Sequence, residues 1–107
     1  MRVIELDGED WVEDLDAIEA LLRALDAPDW HGRNMNALVD SIAAGGINRV
    51  EPPYEVRIHG ARHMLEGVRS FLDDLARHVG ATIDTWPSRI GGRRKVRFVF
   101  LNDARAA

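Results

Sequence analysis

Two rhythms of apolar positions alternate along this 107-residue chain. Val3, Ile4 and Leu6 form a short β-type run closed by Asp7-Gly8, a turn signal. Leu15, Ile18, Leu21, Leu22 and Leu25 then recur at helical spacing, which predicts a helix from about Val12 to Leu25. Trp11 stands just before it as a staple onto the core, and Asp26-Ala27-Pro28 ends it. Met35, Leu38 and Ile42 share a face, predicting a second helix from about Met35 to Ala44 that Gly45-Gly46 stops. After Pro52-Pro53, Tyr54, Val56 and Ile58 alternate with Glu55, Arg57 and His59, a strand pattern. Met64, Leu65, Val68, Phe71, Leu72, Leu75 and Val79 make the strongest helical stripe in the chain, with Gly80 as its expected stop. Thr82 to Trp86 has β character, and Val96 to Leu101 reads as a final strand buried on both faces.

Helical crossovers between the earlier strands imply parallel pairing, while the last two strands, joined by a loop with Pro87, Gly91 and Gly92, are expected to pair antiparallel. The expected architecture is a small α/β sandwich. Its sheet is mostly parallel, three strands plus a possible extra antiparallel one, packed by three or four helices. Leu21, Leu38, Val56, Ile58, Phe71, Leu75, Phe98 and Phe100 are the expected core. Residues 1–103 are read as one domain and 104–107 as a loose tail.

Composition narrows the function. Apolar residues make up 46% of the chain, ordinary for a globular protein. No run is long and apolar enough for a membrane span, and the N-terminus lacks the apolar segment of a secretory signal. Cysteine is absent, which excludes disulfides and thiolate metal sites, and a cytoplasmic location is the expectation. Residues 1–30 carry ten acidic and two basic side chains, whereas residues 31–107 carry twelve basic and eight acidic ones. Carboxylates from Glu9 to Glu19 suit the solvated start of a helix, where the dipole favours negative charge, and an acidic half also steers basic partners.

Catalytic signatures are missing. His59 and His63 have a metal-ligand spacing but no clustered third ligand, so they read as surface histidines. Asp73 and Asp74 are adjacent on a helix and point about 100° apart, which makes a shared proton awkward. Gly91-Gly92 is followed by Arg93-Arg94 rather than by the residues of a P-loop. No enzyme and no cofactor are expected. Arg89, Arg93, Arg94, Lys95 and Arg97, near Trp86, form a basic cluster of the sort that binds nucleic acid, but overall acidity weighs against that reading.

The informative stretch is Pro28 to Ile42, a loop feeding a short helix. Gly32 suits a turn, and Asn34 suits the N-cap of the helix after it. Asn36 and Asp40, four apart with Val39 between them, form a polar, partly apolar face expected to point away from the core. Within it, Trp30-His31-Gly32-x-Asn34-x-x-Ala37-Leu38-x-Asp40 resembles the signature of the barstar family, small intracellular inhibitors of secreted ribonucleases. Val3-Ile4-x-Leu6-x-Gly8 resembles that family's first strand and turn, and Pro53 its cis-proline before the next strand. In two respects the chain departs from the family. Between the second and third strands there is room for one helix rather than two, and Asn36, Arg33 and Val39 stand where the family has acidic or aromatic residues.

The resemblance implies an immunity-type inhibitor that enters a ribonuclease active site with its second helix and preceding loop. It implies a partner-binding surface of Trp30, His31, Gly32, Arg33, Asn34, Asn36, Val39, Asp40 and Ala43, with Asp74 from the third helix. Asp40 matches the family's most important acidic residue, which mimics a substrate phosphate. The free protein is expected to be a monomer. Two other readings stand beside this one: a barstar-like module with a non-ribonuclease partner, and a nucleic-acid binder acting through Arg89 to Arg97.

Overall fold

The computed structural model describes residues 1–85 and 95–103. The elements run β1 (Arg2–Asp7), α1 (Asp14–Ala24), α2 (Met35–Ala44), β2 (Tyr54–His59), a 3₁₀ turn (Ala61–His63), α3 (Glu66–Asp84) and β3 (Val96–Phe100). The sheet has the order β1-β2-β3 and both pairings are parallel, with Ile4, Val56 and Phe98 in register across it. Helices join successive strands, as parallel pairing requires. The peptide between Pro52 and Pro53 is cis.

One face of the sheet meets the helices. Ile4, Tyr54, Val56 and Ile58 pack with Ala17, Ile18 and Leu21 of α1, Leu38 and Ile42 of α2, and Val68, Leu72, Leu75 and Val79 of α3. Phe71, Phe98 and Phe100, placed in the core by the sequence pattern, are partly buried and pack against it. The opposite face carries Val3, Glu55 and Arg97 in one row and Glu5, Arg57 and Val99 in the next. There Glu55 accepts from Arg57 at 2.6 Å and lies 3.7 Å from Arg97. Arg97 is exposed, so β3 is not buried on both faces as expected. Among the described strands it lies at the edge of the sheet, and its outer face is open to solvent at Arg97.

Two local expectations fail for one reason. Gly80 does not stop α3, and Thr82 to Asp84 are helical rather than a strand. Ile83 is buried four residues after Val79, so it extends the apolar stripe by a further turn. Burying an isoleucine outweighs the cost of about 0.5–1 kcal/mol for a helical glycine. The extra antiparallel strand is therefore not formed from 82–84, and β3 pairs parallel with β2 instead. Trp86, Arg89, Arg93 and Arg94 lie outside the described residues, as does the 104–107 tail. At α1 the helix begins at Asp14 rather than Val12, because the Asp16 carboxylate accepts from the Val12 and Glu13 amides at 2.9 and 3.2 Å. Trp11 packs against the core before it, as the pattern implied.

A Cβ on Gly80 would meet nothing within 4 Å. Gly80→Ala is therefore expected to raise stability by about 0.4–1 kcal/mol, whereas Leu75→Ala, at a fully buried position, should lower it by about 2–5 kcal/mol. Urea unfolding followed by circular dichroism measures both. A stabilising effect absent at Gly80 would mean that α3 ends before it.

Candidate functional site

The loop before α2 starts from a well-defined helix end. Asp26 adopts a left-handed conformation, with φ of 52°. Its amide donates to Arg23 O at 3.2 Å, and the Ala27 amide donates to Leu22 O at 2.9 Å. This is a Schellman motif with aspartate in the usual glycine position, followed by Pro28, which cannot propagate a helix. The chain then turns, the His31 amide donating to Pro28 O at 3.0 Å. Asn34 is extended, with φ of −152°, and its Oδ1 accepts from the Ala37 amide at 2.8 Å. It is the N-cap that the sequence implied. Gly32 serves a different need from the one expected: a Cβ there would come within 3.0 Å of the Ala37 Cβ, so close approach rather than a left-handed turn calls for glycine.

The ten residues named from sequence divide by exposure. Trp30 is 74% exposed, and Gly32, Arg33, Asn34, Asn36 and Asp40 are also on the surface. Asn36 and Asp40 lie one turn apart on the solvent side of α2, and neither makes a salt bridge with another described residue. Arg33 lies 3.8 Å from Glu19 of α1, a long and exposed pair that contributes little. Asp74 is half-buried and accepts from Arg77 at 2.7 Å within α3. His31, Val39 and Ala43 are buried instead. Val39 at 9% and Ala43 flank the Leu38–Ile42 seam, since a helix closely packed on one side buries more than a single row.

His31 is 7% exposed and faces inward. Its Nδ1 lies 2.7 Å from Gly32 O and its Nε2 2.8 Å from the Ser41 hydroxyl. Ser41 also receives the Asn48 side-chain amide at 3.0 Å. Asn48 Oδ1 is buried without a hydrogen-bond partner among the described residues. Neither Ser41 nor Asn48 was singled out in sequence. The available signal was a serine inside the otherwise apolar run around it, Ala37-Leu38-Val39 before and Ile42-Ala43-Ala44 after, apart from Asp40. Behind the loop, a cleft of about 400 Å³ is lined by Glu19, Leu22, Arg23, Asp26, Pro28, Asp29, His31 and Arg33. Its mixed charges offer no nucleophile poised beside a base. Among the described residues there is no group of three or more His, Asp or Glu able to hold a metal, and His59 is engaged instead with Glu5 at 3.1 Å.

An exposed aromatic and an exposed carboxylate, carried by a capped helix and the loop before it on a three-stranded parallel sheet, suit protein recognition better than catalysis. The family model of Barstar, the barnase inhibitor, matches residues 1–102. The chain belongs to the Barstar family. The match takes in every described element, β1 to β3. No curated protein matches the chain. Barstar family members are inhibitors rather than enzymes and bind ribonucleases, which makes a protein partner the family-level role here. Among the described residues no helix is long and apolar enough to cross a membrane.

The cap gives a direct check on how the helix is held. Asn34→Ala removes the acceptor for the Ala37 amide and should lower stability by about 0.5–2 kcal/mol, whereas Asn34→Asp should retain most of it. Thermal unfolding of the two variants makes the comparison. Equal losses in both would assign Asn34 a role other than capping.

Proposed function

We propose that this chain inhibits a ribonuclease or a related bacterial toxin by placing α2 and the loop before it in the enzyme's active site. It does so as one domain over residues 1–103, monomeric when free, in the cytoplasm. The observation that carries this reading is Asp40, exposed on a packed helix, with no ion-pair partner among the described residues. A carboxylate held in this way can accept paired, charge-assisted hydrogen bonds from the Arg and Lys side chains that bind RNA phosphate. Because the helix is already packed, little conformational freedom is lost on binding. Trp30 beside it is a rigid, flat apolar anchor of the type most often found at interface hot spots. His31, Val39 and Ala43 act from beneath the surface rather than at it.

A second reading has its own support. Residues 28–46 carry Asp29, Arg33 and Asp40 as their charged side chains, and Asn36 is neutral. That surface suits a target cleft less basic than barnase's, or a partner that is not a ribonuclease. A nucleic-acid role through Arg89 to Arg97 would rest largely on residues outside the described part.

Asp40→Ala separates these ideas. In the inhibitory mode it leaves a partner cation buried without its acceptor, which typically costs about 2–5 kcal/mol. Thermal unfolding of the free variant should barely change, because Asp40 is exposed. Calorimetry against a catalytically inactive barnase-type ribonuclease measures the first quantity. Wild-type affinity in Asp40→Ala would contradict the mode, and a lowered melting temperature with intact affinity would make Asp40 a residue of the fold.

A further inference from the structure

We infer that His31, Ser41 and Asn48 form a positioning junction that fixes the Trp30 loop, α2 and the loop after α2 as one presented surface. The three residues come from three different segments and meet at one oxygen. Their exposures are 7%, 2% and 5%, so the junction is buried. A carbonyl oxygen only accepts, so His31 Nδ1 is the donor to Gly32 O. Nε2 lies 2.8 Å from Ser41 Oγ, which also receives the Asn48 amide and donates to Leu38 O at 3.3 Å. The result is a connected network in which Asn48 donates to Ser41, Ser41 is bonded to the His31 ring and to Leu38 O, and His31 donates to the loop backbone. Each link polarises the next.

Stability alone would favour an apolar residue at position 41, between Leu38 and Ile42 on a packed helix. A serine there adds direction instead: beside its bond to Leu38 O within the helix, it engages the Asn48 amide and the His31 ring only where both are correctly placed. The Asn34 cap and the Asp26 turn fix the two ends of the loop but do not reach the segment after α2. The Arg33–Glu19 pair is long and exposed, and the His31 amide bond to Pro28 O stays inside the loop. The ring of His31 therefore links the segment bearing Trp30 to the helix bearing Asp40. The purpose of that surface rests on the inhibitory reading, but the junction can be tested without any partner.

The experiment is amide hydrogen exchange by NMR on the full chain, comparing wild type with Ser41→Ala, His31→Asn and His31→Gln. A glutamine amide reaches the place of Nε2 and keeps the Ser41 bond, whereas an asparagine amide reaches only the place of Nδ1. The reporters are the residue 31 amide, bonded to Pro28 O, and the Val50 amide, bonded to Leu25 O, on either side of α2. The Val56 and Ile58 amides of β2 report global opening. Ser41→Ala should speed exchange at both reporters by about tenfold relative to β2, roughly the effect of one net hydrogen bond. His31→Asn should do the same at residue 31, and His31→Gln should remain close to wild type. The inference fails if the reporters stay level with β2 in Ser41→Ala, if all amides accelerate together, or if Asn and Gln at position 31 behave alike. The two His31 variants decide the matter should Ser41→Ala not fold.

Discussion

A ten-residue helix does not persist alone in water, so the site depends on the packing of α2. Nucleating a helix is costly, and ten residues return too few hydrogen bonds to offset it. What holds α2 is burial of Leu38, Val39, Ser41, Ile42 and Ala43, half of its length, against the core. This constraint leaves a narrow solvent stripe in which Asn36 and Asp40 stand one turn apart. The N-cap and the Schellman turn at Asp26 then set where the chain enters the helix. Trp30 is held outward at the end of that path, although about three quarters of its surface lies in water. Rigidity at the surface is thus inherited from the hydrophobic core.

Much of this was legible in the sequence, because it arises from local signals. β2 and α2 have the expected residues, since alternation in Tyr54–His59 and the Asn34 and Gly45 boundaries are independent of context. The long α3 stripe was equally readable, and α3 is the one α-helix among the described residues between β2 and β3. Errors arose where tertiary packing overrode local preference. Thr82-Ile83-Asp84 has β character in isolation, yet Ile83 extends a buried helical face past Gly80. β3 looked doubly buried because its β-formers suit either case, and only the arrangement of the described layers shows its outer face open at Arg97.

At the site the same division holds. The exposed positions Trp30, Asn36 and Asp40 and the cap at Asn34 came from spacing and from the family resemblance. The inward turn of His31 did not, because a histidine in a loop carries no sign of the hydroxyl waiting beneath it. Ser41 and Asn48 are seven residues apart and their contact depends on how the loop after α2 folds back. Val39 reads as surface because it lies between two polar positions, but α2 buries a broader arc than its leucine seam implies.

In the proposed mode of inhibition, α2 and its preceding loop are the face that meets a ribonuclease. The most direct measurement is an NMR titration of the isotope-labelled chain with a catalytically inactive barnase-type ribonuclease, mapping amide shifts along the sequence. The largest shifts should fall on Trp30, Arg33, Asn36 and Asp40, with Val3, Glu5 and Arg97 on the far side of the sheet unmoved. Shifts gathered on that far face, or around the exposed Val12, Leu15 and Leu65 at the starts of α1 and α3, with α2 silent, would contradict it.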